Sequence, residues 1–205
     1  MDLATLLEKY QVNCHELLHV GAHLGEEAAE YDKAGFPVVW WVEANPEVLP
    51  KLRANLAQYP EQYVIEGLIA DRDDEVLRFH VTNYDGMSSS IFQFDKHPIY
   101  SPDTVFVNER EIVATTIRTL CDQYDIEPDF LNLDIQGAEL LALKGAGDVL
   151  RGVKWIYTEV STDTVYAGGA QMPEIDAFLA PDFVRVETDL GMHGGTHGDA
   201  FYVRR

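Results

Sequence analysis

The sequence predicts an α/β fold in which a doubly wound, mostly parallel sheet ends in an antiparallel C-terminal hairpin. Apolar, β-branched runs alternate with helical patterns along most of the chain, and that alternation implies βαβ units. A small-residue turn, "GAHLG", joins the first run to the first helical pattern. The last two runs are joined by the glycine-rich "GMHGGTHG" instead of a helix, so they must pair antiparallel.

The elements follow in order. "MDLATLLEKYQ" carries acids and mixed periodicity and predicts a short amphipathic N-terminal helix within residues 1–15. "ELLHVGA" (16–22), "VVWWVEA" (38–44), "YVIEGLIA" (63–70), "DFLNLDI" (129–135) and "WIYTEVS" (155–161) read as buried parallel strands. Between them "GEEAAEYDKAG", "PEVLPKLRANLAQY", "TIRTLCDQYDI" and "AELLALKGAGDVLRG" read as helices, with Pro46 opening the second behind an Asn45 cap. "FVRVETDL" (183–190) and "DAFYVRR" (199–205) form the closing hairpin. Residues 75–114 interrupt the alternation: two strand-like stretches flank the loop-rich "NYDGMSSSIFQFDKHPIYSPD". An insertion of that length in a compact domain is usually functional, here a substrate loop or lid. No internal repeat or low-complexity tract divides the 205 residues, and one domain is expected over 1–205.

Composition narrows the partners. Against 35 acids stand 15 bases, a net charge of -20. Nucleic-acid affinity depends on Lys and Arg neutralising phosphates, so neither nucleic acid nor an anionic membrane is an expected partner. No apolar run reaches the length of a membrane span, and the N-terminus lacks a basic leader; a cytoplasmic protein is the expectation. Cys14 and Cys121 stand far apart and form neither a disulfide framework nor a metal pair.

In a doubly wound sheet the ligand sits at the carboxyl ends of the strands, near the point where strand order reverses. Residues Gly21, Ala22, His23 and Gly25 of the first turn are therefore the expected floor, since glycine lets backbone approach a ligand without a Cβ clash. Glu43, eighteen positions after Gly25 and at the end of the second strand, is placed to accept both ribose hydroxyl hydrogens, with Ala44 and Asn45 beside it. Two cofactor classes share that arrangement, the nicotinamide dinucleotides and S-adenosylmethionine. A dinucleotide lays its pyrophosphate on the first helix's N-terminus, which must stay free of acids. Here Glu26 and Glu27 stand there, and the loop lacks the middle glycine of G-x-G-x-x-G. S-adenosylmethionine has no phosphate and carries a sulfonium and an amino group, so the carboxylates favour it. Leu68 to Asp71 is the expected adenine wall, with Asp71 either accepting the exocyclic amino group or standing as an exposed turn acid.

"HVGAHLGEE", "VEANPEVLPKLRANL", "GMSSSIF" and "FLNLDIQGAELLALKGAGDVL" together resemble the FkbM-type methyltransferases. "YTEVSTDTVYAGG", "EIDAFLA" and "GDAFYVRR" follow in the order that family shows, so the resemblance covers nearly the whole chain, with the fourth-strand motif its most specific part. It implies a Rossmann-like, seven-stranded class I methyltransferase sheet and S-adenosylmethionine-dependent O-methylation. Two positions depart from the family's pattern. His19 stands where the glycine loop often begins with Asp, and Gln136 makes "DIQG" where the family often has D-x-E-G.

Methyl transfer requires the nucleophile to be held in line with the leaving sulfur, and a hydroxyl nucleophile also needs a base. Asp134, ending the fourth predicted strand, is expected beside the donor as base or orienter, the alternative being a helix cap. Gln136 can orient but cannot act as a base. Glu159, ending the fifth strand, faces either the substrate or, through a structural hydrogen bond, the Ser88–Ser90 loop. Ser88, Ser89 and Ser90 belong to the expected substrate loop, and His97 within the insertion is a further candidate base. His23 is expected at the donor's methionine end and His19 as a satisfied strand-end histidine. His193 and His197 have H-x3-H spacing, but among the glycines of a hairpin loop that spacing does not make a metal site, and none is expected; a place at the pocket mouth is the functional reading, since the closing hairpin can reach that edge. The predicted function is methylation of a hydroxyl on a small-molecule or saccharide-like acceptor by a monomer or homodimer. The alternatives are a non-catalytic S-adenosylmethionine-binding or assembly module and, disfavoured by Glu26 and Glu27, a nicotinamide-dependent oxidoreductase.

Overall fold

In the computed structural model, which describes residues 3–205, the chain opens with helix α1 (Leu3–Lys9). Strand β1 (Leu17–Val20), helix α2 (Ala28–Ala34), strand β2 (Val39–Glu43), helix α3 (Leu49–Leu56) and strand β3 (Gln62–Glu66) follow. After Gly67 come β4 (Leu68–Ile69), β5 (Val76–Thr82), a 3-10 turn at Tyr84–Gly86, α4 (His97–Tyr100) and β6 (Phe106–Thr115). The second half runs α5 (Ile117–Tyr124), β7 (Phe130–Leu133), α6 (Glu139–Ala146), a 3-10 turn at Gly147–Arg151 and β8 (Trp155–Ser161). Helix α7 (Met172–Leu179) and the hairpin β9 (Phe183–Met192) and β10 (His197–Arg204) end it.

Seven strands form the main sheet in the order β3-β2-β1-β7-β8-β10-β9. The first five are mutually parallel, while β10 runs antiparallel to both β8 and β9. Chain order reverses between β1 and β7, which puts the switch point at the carboxyl ends of those two strands. Every side chain of β1 and of β7 is buried, because helices cover both faces. On one face Leu18, Leu131, Leu133 and Ile156 pack against Ile117, Leu143 and Ile175 of α5 to α7. On the other, Leu17, Trp41 and Phe130 pack against Leu6, Tyr31 and Leu52 of α1 to α3. No helix among the described residues is long and apolar enough to cross a membrane.

Several boundaries differ from the sequence expectation. The predicted N-terminal helix ends at Lys9, where the chain turns through Gln11 at φ 48°; residues 1 and 2 of that prediction lie outside the described residues. Asn45 does not cap α3. Its side-chain oxygen accepts the Glu47 N–H (3.1 Å) in a preceding turn, and the helix begins at Leu49. The run 63–70 splits at Gly67, and its second half pairs with β6 in a separate three-stranded sheet, β4-β6-β5. The two ends of the predicted insertion are therefore paired strand, and the irregular excursion between them is residues 83–105. The predicted helix over 138–152 breaks at Gly147, whose φ of 51° and ψ of -124° no α-helix accommodates.

Candidate functional site

At the switch point a cavity of about 230 Å³ opens between the ends of β1, β2 and β7 and is roofed by the 86–91 stretch of the excursion. Gly21 forms its floor at φ +94°. A Cβ there would meet the carbonyl oxygen of Asp134 at 1.8 Å, so only glycine lets β1 and β7 leave the sheet this close together. The N–H groups of Gly21 and Ala22 both bond to Val42 O, at 2.9 and 3.0 Å, and hold the turn over the end of β2.

Glu43, nine-tenths buried at that strand end, accepts the backbone N–H of His23 on Oε2 (2.7 Å) and of Asn45 on Oε1 (2.6 Å). One carboxylate thus ties the first and second turns together. Burial pushes its carboxyl up, and the two N–H donors work against that. His23 sits at φ 44°, and its Nδ1 lies 2.7 Å from Glu26 Oε1. Burial disfavours charge on this imidazole, but the Glu26 carboxylate outweighs it and the ring's proton affinity is raised. His23 Nε2 is buried, the Asp85 backbone lies against the ring, and the residue lines the cavity. Glu26, Glu27, Glu43 and Asp134 all line the cavity, and among the described residues no Lys or Arg does. Such a site attracts a cation and repels phosphate. Leu68, Ile69, Phe79 and Ile91 supply an apolar wall on the side of the small sheet.

Asp134 stands at the end of β7 and opens onto the cavity. Gln136, at φ 56°, donates from Nε2 to Asp134 Oδ1 (2.6 Å) and to Glu159 Oε2 (3.0 Å) and accepts the Tyr166 hydroxyl on Oε1 (2.6 Å). The turn that presents Gln136 is pinned from inside by Glu139, whose Oε1 takes the N–H of Ile135 (3.0 Å) and of Gly137 (3.1 Å). Burial lifts the Glu139 carboxyl to about 7, against the pull of those backbone donors. Ser90 Oγ donates to Gln136 O (2.8 Å), which fastens the excursion to the same turn. The protein around Asp134, and then the charge of Glu159, push its carboxyl well above the usual carboxylate range, tempered by the water that reaches it through the cavity.

Of the residues expected from sequence, Gly21, Ala22, His23, Glu43, Ala44, Asn45, Ser89, Asp134 and Gln136 line this cavity. Gly25 does not; it packs against Leu52 and Leu56 of α3. Asp71 does not either, because the chain at Ala70–Asp71 lies against Gly145 of α6. Ser88 bonds locally, its N–H to Thr82 Oγ1 (3.2 Å). His97 is not placed to act as a base on anything in the cavity. Its ring is buried, stacked on Phe94 at 4.1 Å and tilted against Tyr166 at 5.5 Å. Glu159 lies behind the cavity, bonded to Gln136 and His197 and not to the Ser88–Ser90 loop. His19 is a satisfied core residue, with Nδ1 3.0 Å from Tyr31 Oη and its ring stacked on Trp41 at 4.5 Å. Sequence reasoning missed Tyr166 and Phe79, and considered His197 for the pocket mouth, whereas it stands behind the cavity on Glu159.

Comparison with known proteins gives a consistent set of likenesses. The family described as methyltransferase FkbM domain matches residues 19–191. The chain is similar to the 2-O-methyltransferase NoeI of Sinorhizobium fredii, with 26% identity over 183 residues, 84% of this chain and 72% of that protein. Magnesium protoporphyrin IX methyltransferase from Synechocystis, solved with bound S-adenosylmethionine, superposes with a TM-score of 0.55 at 9% identity, over 98% of this chain and 76% of that one. Aeropyrum pernix fibrillarin, also holding S-adenosylmethionine, gives 0.53 at 12% identity, over 92% of this chain and 66% of that one. A protein of the NADB-Rossmann superfamily from Streptococcus agalactiae gives 0.53 at 12%, over 100% and 69%. At these identities the structural likenesses establish the Rossmann-like fold alone, and that fold is shared by both cofactor classes considered above.

Proposed function

The chain belongs to the FkbM methyltransferase family and is an S-adenosylmethionine-dependent methyltransferase; from that premise we propose that it methylates a hydroxyl oxygen of a small-molecule or saccharide-like acceptor, with Asp134 taking the hydroxyl proton. The observation that carries this reading is Asp134 itself, a carboxyl with raised proton affinity set in the cavity and held by Gln136 at the strand end where chain order reverses. The name 2-O-methyltransferase borne by NoeI supports a hydroxyl acceptor.

The residues present fit the donor. Glu43 has one lone pair on each oxygen engaged by backbone and another left for a ribose hydroxyl. His23, on the cavity wall with raised proton affinity, suits the donor's carboxylate, and Glu27 and Asp134 suit its cationic groups. The apolar wall from Leu68 to Phe79 suits adenine. When bound, S-adenosylmethionine supplies a sulfonium-borne methyl group open to in-line attack by the acceptor oxygen. This chain's part is to orient that oxygen and to receive its proton, and the roof, from Gly86 to Ile91, covers one side of the cavity.

The test is transfer of a labelled methyl group to a panel of saccharide and small hydroxyl compounds, with Asp134→Asn as comparison. Loss of about 10²- to 10⁴-fold in kcat with donor affinity far less affected is the expected result. Unchanged kcat in Asp134→Asn would remove Asp134 from the chemistry. Transfer confined to amines would replace the hydroxyl reading.

A further inference from the structure

Gln136 and His197 approach Glu159 from opposite sides. The Gln136 amide is fully used in one orientation, its N–H groups on Asp134 and Glu159 and its oxygen under the Tyr166 hydroxyl. Turned over, it would set a carbonyl oxygen against two carboxyls. On the far side His197 Nε2 lies 2.7 Å from Glu159 Oε1, while Nδ1 of the same ring is buried without a partner. Orphaned buried N–H groups are rarer than orphaned acceptors, so the hydrogen-bond pattern assigns the ring proton to Nε2. Burial holds His197 below the ordinary imidazole range, which makes it a neutral donor at neutral pH.

Glu159 therefore receives an N–H on each oxygen, whereas Asp134 receives the single one from Gln136. The same Gln136 nitrogen reaches both carboxyls, at 2.6 and 3.0 Å, which sets them side by side. Two carboxyls in that relation do not both ionise readily, and N–H donors favour the ionised form of the group they reach. Burial pushes Glu159 up, and the protein packed around Asp134 raises that carboxyl against the water it meets in the cavity; Glu139 from α6, Asp199 from β10 and Glu27 from the turn before α2 face the pair with more acidic groups. Tyr166 and Tyr157 beside them stay neutral, as burial raises both phenols. Burial also lowers His193 and His97, which stand beyond His197. By hydrogen-bond count Asp134, the member that faces the cavity, is the less stabilised of the two as an anion.

We propose that Glu159 and His197 are positioning residues: with Gln136 they fix a negative charge behind Asp134, so that Asp134 is protonated in the free protein and gives its proton to solvent when a sulfonium cation is seated beside it. The O–H bond of the Asp134 carboxyl breaks, the electron pair stays on oxygen, and the proton leaves through the open cavity. The base is then armed by the methyl donor alone. Once the acceptor's proton arrives and the sulfonium charge is gone, the neutral carboxyl is restored. This inference rests on the reading of Asp134 as base and of the cavity as donor site, and concerns how that base is controlled.

S-adenosylmethionine and S-adenosylhomocysteine differ by the methyl cation, so their binding separates the two ideas without any acceptor. Titration calorimetry of the full chain, in buffers of different ionisation enthalpy, counts the protons exchanged. Binding of S-adenosylmethionine should release about one proton more than binding of S-adenosylhomocysteine, and the ratio of the two affinities should rise up to about tenfold per pH unit while Asp134 titrates. Glu159→Gln should bind both ligands with that difference abolished. His197→Phe, which leaves Glu159 Oε1 without a donor, should also abolish it, and His197→Gln, which restores an N–H, should keep it. Equal proton counts in the wild type would overturn the proposal, as would an undiminished difference in Glu159→Gln. His197→Gln and His197→Phe behaving alike would reduce His197 to a packing role. Failure of both ligands to bind would instead overturn the donor-site reading.

Discussion

His97 shows how one residue can carry a titration without touching the reaction. Its ring is 2% exposed and stacked on Phe94. Burial, and then the neighbouring His193 and His197, lower it from 6.5 to about 4. In the interval between those values the unfolded chain binds a proton that the native protein refuses, so stability is lost as pH falls below 6.5 and through about 4. His97→Phe keeps the stack and deletes the titration. Relative to wild type it should gain about 1–2 kcal/mol between pH 8 and pH 5 in chemical denaturation, and a pH-independent difference would contradict the assignment. Its sequence context, a loop rich in serine and aromatics, had suggested a base; ring stacking decided otherwise, and stacking partners distant in sequence leave no local signal. Glu43 was legible because its position depends on strand length alone. Tyr166 and His197 were not, since what brings them to Gln136 and Glu159 is the path of the 162–171 loop and of the hairpin over the sheet end.

At the scale of elements, the turn after β1 and the end of α2 use glycine for different reasons. Gly35 ends α2 at φ 75° with nothing within 4 Å of where a Cβ would stand, so Gly35→Ala meets only the left-handed backbone cost, about 1–2 kcal/mol. Gly21 has both a positive φ and the Asp134 carbonyl in the way, so Gly21→Ala should cost at least about 3 kcal/mol or prevent folding. Thermal or denaturant unfolding of the two variants checks this, and equal losses would mean that β1 and β7 do not meet as described. The buried strands were legible because two covered faces leave a continuous apolar run. Their ends were not: the apolar pattern continues through Gly67 and past Gly147, and only the partner each half finds, the small sheet or a 3-10 turn, shows the break.

For the whole molecule, the net charge of -20 and the acid-lined cavity act in the same direction. The fold alone admits either a dinucleotide or a sulfonium donor, and charge chooses between them: four acidic side chains and, among the described residues, no Lys or Arg around the cavity leave nothing to neutralise a pyrophosphate. Glu43 joins that charge to the geometry, because the same carboxylate holds the first two turns and faces the space between them. The most direct measurement is titration calorimetry of the purified protein with S-adenosylmethionine, S-adenosylhomocysteine and NAD, alongside Glu43→Ala checked for its fold by circular dichroism. Both adenosyl ligands should bind and NAD should not, and Glu43→Ala should weaken the adenosyl ligands by about 10- to 100-fold, the loss of hydrogen bonds to a charged group. Binding of NAD at comparable affinity, or adenosyl affinity untouched in a folded Glu43→Ala, would contradict the account.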